Sequence, residues 1–312
     1  MVKSKLNTPI LFLVFNRPYT TARVFEAIRH AKPRKLFVAA DGPRINWPGD
    51  EKKCSQVRKI ATSVDWECDI KTFFRDENIG CGKAVSNAID WFFKNEEEGI
   101  ILEDDCLPSQ SFFLFCQELL EKYRKHEGVM HINGNNFNAP LGKLLPKEHL
   151  NSSYFFCSFA QIWGWASWRK KWEKFDYSIN SWPDVKKSKI LLESFPNLFS
   201  YYEKSKHFDL VYQGTKDIWD YQWQYAVLVN NGLVVCPSAN LVSNIGYGVD
   251  STHTKKLEKK RHNLPTFELS FPLKHPSTMM ASPSIDKYYA SKMGINISYK
   301  KIIKLTTKWM IK

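Results

Sequence analysis

Across residues 1–135, apolar positions alternate between short continuous runs and stripes at helical spacing. Ile10 to Phe15 is unbroken, the pattern of a strand buried on both faces. Val24, Phe25 and Ile28 then recur on one helical face. Lys35 to Ala40 predicts a second strand, closed by Asp41-Gly42-Pro43, and Ile70 to Phe74 a third. Val85, Ala88, Ile89, Phe92 and Phe93 mark the next helix. Ile100 to Leu102 is a short fourth strand that ends in Glu103-Asp104-Asp105. Phe112, Cys116, Leu119 and Tyr123 predict another helix, and Val129 to Ile132 another strand.

This β-α-β-α order predicts an α/β fold with a doubly wound, mainly parallel sheet flanked by helices. In such sheets ligands bind beyond the carboxyl ends of the strands, which directs attention to Asn16-Arg17, Asp41-Gly42 and Asp104-Asp105. Farther along the alternation weakens. Tyr154 to Trp172 is rich in aromatics, Ile190 to His207 and Asp217 to Val229 read as helices, and Leu233 to Cys236 reads as a strand. Ser243 to Thr254 reads as a loop. The expected organisation is one main domain over 1–255, divided into halves at about 1–135 and 136–255, with a helical extension over 256–312.

Composition narrows the class. With 43% hydrophobic and 25% charged residues, the chain has the makings of a packed core. A formal net charge of +13 predicts an anionic partner. The basic residues are dispersed, and no helix-turn-helix, zinc or RNA-recognition signature accompanies them, which argues against a nucleic-acid-binding protein. Seven scattered cysteines form no CxxC pair and predict reduced thiols. The opening Met1 to Pro9 carries no apolar stretch of signal-peptide length, so a cytoplasmic protein is expected.

Three adjacent carboxylates at the end of a buried strand need compensation. A hard divalent cation such as Mn²⁺ or Mg²⁺, shared with substrate phosphates, would supply it. The segment Arg75 to Ala84 follows the third strand, carries Gly80 and Gly82, and opens a helix whose N-terminus favours anions. It is not a Walker A loop, because Glu77 and Ala84 stand where that motif needs Gly and Ser or Thr. Three Trp in Trp163-Gly164-Trp165-Ala166-Ser167-Trp168 suit either sugar stacking or core packing.

The ordered set of Asn78-x-Gly80-x-x-x-Ala84-x-x-Asn87, the Glu103-Asp104-Asp105 triplet, Gly164-Trp165 and Trp219-Asp220 resembles GT-A nucleotide-sugar glycosyltransferases. It is similar above all to the inverting enzymes related to N-acetylglucosaminyltransferase I, over about residues 10–255. Phe15-Asn16-Arg17-Pro18 matches their Arg-containing turn and Asp41 their acid after the second strand. Their Trp-Asp-Asp-Trp is replaced here by Trp219-Asp220-Tyr221-Gln222-Trp223.

The resemblance implies a nucleotide-diphospho-sugar donor, UDP-linked, held by Arg17, Asp41, Asn78, Gly80, Lys83 and Asp104. It implies a metal ligated by Asp105 and His253, a general base at Asp220, and sugar or acceptor contacts from Trp163, Gly164, Trp165 and Trp219. The acceptor would be a glycan or a lipid-linked sugar in cell-surface polysaccharide synthesis. A sugar-1-phosphate nucleotidyltransferase is the competing enzyme class, but such proteins place a Gly-rich loop where Asn16-Arg17-Pro18-Tyr19 stands. Finally, Lys300, Lys304, Lys308 and Lys312 form a cationic stripe opposite Ile302, Ile303, Trp309 and Met310. That pattern predicts a tail that lies on an anionic membrane surface.

Overall fold

The computed structural model of the chain describes residues 6–137, 151–195, 197–246 and 263–292, with backbone alone for 288–292. Its strands are β1 (Ile10–Val14), β2 (Lys35–Ala40), β3 (Asp69–Phe74), β4 (Glu98–Glu103), β5 (Cys106–Pro108), β6 (Val129–Asn133), β7 (Tyr154–Cys157), β8 (Trp165–Trp168), β9 (Leu233–Pro237) and β10 (Val242–Asn244). Its helices are α1 (Pro18–Ala31), α2 (Asp50–Ala61), α3 (Cys81–Asn95), α4 (Gln110–Tyr123), α5 (Arg169–Trp172), α6 (Trp182–Ser188), α7 (Leu198–Tyr212), α8 (Asp220–Val229) and α9 (Pro283–Lys292).

Eight strands form one sheet in the order β3-β2-β1-β4-β8-β6-β9-β7, while β5 and β10 make a separate antiparallel pair. Strands β3, β2, β1 and β4 are mutually parallel, β6 and β9 are parallel, and β8 and β7 run antiparallel to their neighbours. The sheet is thus mostly parallel, as the sequence predicts. The all-apolar β1 is buried at every position. Ile10, Phe12 and Val14 face one core with Val24, Phe25 and Leu119 of α1 and α4. Leu11 and Leu13 face a second core with Ile89, Phe92 and the later helices. A strand packed on both faces has no room for alternation, which is why β1 reads as a run. At the other extreme, β3 is an edge strand whose Asp69, Lys71 and Thr72 are exposed; polar edges of this kind resist pairing with other chains.

Register fixes where the chemistry can sit. Val14 pairs with Ala40, and Ala40 with Phe74, while Leu13 pairs with Glu103. The segments that follow these four strands therefore emerge along one edge of the sheet. Because β8 is antiparallel, with Trp165 opposite Ile101 and Asn133, its first residue rather than its last lies at that edge.

Several elements differ from the sequence reading. Helix α2 has only Cys54, Val57 and Ala61 as apolar buried residues, too thin a stripe to stand out. It is held instead by acids in its first turn and bases in its last, which complement the helix dipole. The stretch read as one helix from Ile190 to His207 breaks into a 3-10 turn at Ile190–Ser194 and then α7, which Asn197 caps by accepting from Ser200 N at 2.8 Å. The start read as Asp217 lies at Asp220. In the extension, residues 263–282 are not helical. They bind back onto the sheet region, with Phe267 N donating to Asn240 O at 2.9 Å and Ser282 N to Phe156 O at 3.0 Å. The basic stripe from Lys300 to Lys312 lies outside the described residues. No helix among those described is long and apolar enough to cross a membrane.

Candidate active site

One cavity of about 830 Å³ opens at the carboxyl edge of β1, β2 and β4. Its wall includes Arg17, Asp41, the Glu103-Asp104-Asp105 triplet, Trp163 and Asp220. Residues some two hundred positions apart thus share one space, as the sheet register requires.

At the triplet, the compensating charge present is Arg17, the N-cap residue of α1. Its Nη1 donates to Asp105 Oδ2 at 2.5 Å and lies 3.4 Å from Asp104 Oδ1. The resemblance implies a donor contact for Arg17; here its guanidinium is engaged with the triplet. The turn into α1 is short and its Pro18 fixes the first helical residue, so the guanidinium swings onto the neighbouring strand end. Asp104 also accepts from Phe15 N at 3.1 Å, and Asp105 from Asn244 Nδ2 at 3.3 Å. Burial pushes the Asp104 carboxyl upward while Arg17 opposes the rise. Glu103 is pushed up by burial and then by the charges of Asp105 and Asp104, and its Oε1 has no hydrogen-bond partner among the described residues.

Those residues fit one kind of ion. Among the described residues no three His, Cys, Asp or Glu side chains are grouped to hold a metal by themselves. Three adjacent wall carboxylates, one with an unsatisfied oxygen, suit a hard cation that takes its remaining ligands from phosphate and water. His253 lies outside the described residues.

Asp41 braces the wall as well as lining it. Its Oδ1 accepts from Gly42 N at 2.9 Å and from Ile79 N at 3.2 Å, and burial raises its carboxyl despite these bonds. Asn78 Nδ2 donates to Gly42 O at 2.9 Å, tying the same two loops together. Gly80 lines the cavity at φ +89°, and an added Cβ would strike the Asp217 carboxylate. Asp217 in turn accepts from Gly82 N at 2.8 Å, so a carboxylate already satisfies part of the α3 N-terminus. Lys83, expected on the donor, is exposed and absent from the cavity wall. Its place in the first turn of α3 turns it outward.

The tryptophans divide. Trp163 is half-buried on the wall, with its ring edge-on to Phe137 at 5.0 Å. Trp219 is also on the wall although nearly fully buried. Trp165, expected to touch sugar, is completely buried and does not reach the cavity. Its ring stacks on His131 at 5.0 Å and on Trp219 at 5.8 Å. Trp163 precedes β8, and Gly164 between the two tryptophans stands at positive φ, so the extended path that would put positions 163 and 165 on one side is broken. Gly164 is likewise behind the wall, at φ +64° and pressed against Val242 and Leu102, and its carbonyl accepts from Gly134 N at 2.7 Å. Gly164 is there to bring two chain segments together.

Asp220 is the first residue of α8, half-buried on the wall. Burial raises its carboxyl, and the nearby Lys204 and Lys216 partly oppose this. Glu103 is electrostatically coupled to it across the cavity. Beneath lies a neutral His131, held down to about 3 by burial. Trp223 Nε1 donates to His131 Nδ1 at 3.0 Å, and His131 Nε2 donates to Gln161 O at 3.0 Å, so the proton sits on Nε2.

Among the basic wall residues, sequence reasoning passed over Arg44, Lys204 and Lys216. Arg44 is anchored by Asp50 through bonds of 2.6 and 3.0 Å and stacks on Trp47 at 3.8 Å. Its position just after β2 was a usable signal. Lys204 sits inside α7 and carries no sequence signal at all.

No family model matches the chain, and no curated protein does. Among solved structures it is similar to HddC from Yersinia pseudotuberculosis, at 8% identity over 52% of this chain and 77% of that one, with a TM-score of 0.30. It is also similar to UDP-glucose pyrophosphorylase complexed with UDP-glucose, at 9% identity over 76% of this chain and 93% of that one, with a TM-score of 0.37. Likenesses at these scores carry no argument about function. The chain is an α/β protein with a mostly parallel sheet and a carboxylate-lined cavity at the strand ends.

Proposed function

We propose that the chain is an inverting glycosyltransferase that moves a sugar from a nucleotide-diphospho-sugar, UDP-linked, to a hydroxyl of a glycan or lipid-linked acceptor. The observation that carries the reading is that one cavity holds both the carboxylate triplet and, on another element, the separate carboxylate of Asp220. In the reaction the acceptor oxygen forms a bond to the anomeric carbon as the bond from that carbon to phosphate breaks. The electron pair leaves with the nucleoside diphosphate, and the hydroxyl proton goes to Asp220.

Asp105 and Asp104 would hold Mn²⁺ or Mg²⁺, with His253 as a further ligand. Such an ion supplies Lewis acidity that stabilises the departing diphosphate. Arg17 must then share Asp105 or turn to the phosphates. Trp163 offers a flat apolar face to a sugar ring. The basic tail would keep the enzyme at an anionic leaflet, near a lipid-linked acceptor.

The absence of any glycine between β1 and α1 favours this reading over nucleotidyl transfer, for which a flexible loop must wrap the triphosphate. The two chemistries release different products. With Mn²⁺ and a panel of nucleotide-diphospho-sugars, the protein should release nucleoside diphosphate. Pyrophosphate released from a nucleoside triphosphate plus sugar 1-phosphate, with no diphosphate release, would replace this assignment with the other.

A further inference from the structure

Two cations of the cavity wall form no ion pair among the described residues. Lys204 of α7 and Lys216, which precedes α8, both line the wall and both lie over the Tyr221 ring, with Nζ 4.1 and 5.5 Å from its centroid. Other lysines of the same helical region do form ion pairs: Lys186 with Asp209 at 2.7 Å, and Lys206 with Glu203.

The polar groups around the pair leave its charge uncancelled. Lys216 Nζ donates to His207 Nδ1 at 3.1 Å, and that imidazole is held neutral, pushed down to about 4 by burial and by the two lysines. Asp217 spends a carboxylate oxygen on Gly82 N. Asp220 interacts electrostatically with both lysines, yet among the described residues neither it nor Asp217 forms an ion pair with either. Holding an ammonium out of water without an anion is unfavourable. Burial already draws the Lys204 ammonium down to about 8. The site is therefore built for an anion that the protein itself does not provide.

Its location identifies which substrate brings that anion. Lys204 belongs to α7, which packs on α8, and both lysines lie over Tyr221, the neighbour of Asp220 in α8, whereas the triplet lies at the end of β4. If the diphosphate sits at the triplet and Asp220 takes the acceptor proton, the groups around Asp220 belong to the acceptor.

We infer that Lys204 and Lys216 select an acceptor sugar bearing a carboxylate or a phosphate, with Tyr221 as the platform that positions their ammonium groups. The acceptor assignment rests on the proposed glycosyl transfer; the anion preference does not, because binding alone reveals it.

The test compares glucuronate, glucose 6-phosphate, glucose and UDP as binding probes by calorimetry or NMR titration. Wild type should bind at least one anionic sugar about tenfold more tightly than glucose, the gain expected of a charge-assisted contact. Lys204→Met and Lys216→Met should each reduce that preference to about threefold or less, Lys204→Arg should retain it, and UDP affinity should stay within about twofold throughout. Which anionic sugar binds tells a carboxylate from a phosphate. Equal binding of all three sugars by wild type would overturn the inference. So would a loss of UDP affinity in the Met variants matching the loss for the anionic sugar, which would give the lysines to the donor. Loss of the thermal transition in the Met variants shifts the weight to Lys204→Arg, where a lost preference for the anionic sugar in a folded protein would also contradict it. Should no nucleoside diphosphate be released in the product assay while the preference persists, the transferase reading fails and the anion site stands.

Discussion

Replacing Asp220 with Asn should lower the transfer rate by about two to four orders of magnitude while leaving nucleoside diphosphate affinity unchanged. Asn is nearly isosteric and keeps a polar group in the first turn of α8, but it cannot accept the acceptor's proton. The carboxyl of Asp220 is raised by burial, with Lys204 and Lys216 pulling the other way and Glu103 adding to the negative field. A base must be ionised to work. Wild-type turnover should therefore fall as pH drops through a value above the ordinary carboxylate range, and that acidic limb should vanish in the variant's residual rate. Thermal stability should hold or rise, since a half-buried charge is removed. Saturating turnover and UDP calorimetry on the same preparation check both halves. Near-normal turnover in a folded Asp220→Asn variant would remove Asp220 from the chemistry.

The second large effect concerns stability. Trp165→Ala should cost about 3–5 kcal/mol, the range for emptying a fully buried large aromatic site. Trp165 has no exposed surface and its ring contacts His131, Trp172, Trp219 and Trp223 at centroid separations of 5.0 to 6.1 Å. The cavity would open directly behind Trp219, so the wall beside Asp220 would lose its backing. Melting should fall by roughly 10 °C, and any surviving folded fraction should transfer poorly. Trp163→Ala is the internal comparison: its ring is on the wall, so sugar binding should suffer far more than melting. A Trp165→Ala protein as stable as wild type would deny the aromatic cluster its role.

Much of this was legible before any coordinates. Continuous apolar runs disclosed β1, β2 and β4, because a strand covered on both faces has no polar positions to hide it. Their parallel alignment then pointed to the edge where the cavity opens, and Arg17, Asp41, Asp104, Asp105, Trp163 and Asp220 do line one cavity. What escaped was whatever depends on direction or on distant partners. The insertion of β8 between β4 and β6 is set by packing, and four residues reading Trp-Ala-Ser-Trp do not announce it. Lys83, Gly164 and Trp165 sit at the right places along the chain but face away from the cavity, because spacing alone does not say which side a residue takes. Arg17 as the counter-charge to the triplet could not be read from separations of 87 and 88 residues. The pairing of Lys204 with Lys216 needed α7 and α8 to be folded side by side.

The central claim is that the triplet, through a cation, holds a pyrophosphate. Calorimetry of UDP binding with Mn²⁺ and then with chelator tests it most directly, on wild type and on Asp105→Ala. Metal should tighten UDP binding by about tenfold or more in wild type, and the gain should disappear in the variant. Equal UDP affinity with and without metal in wild type would contradict the account.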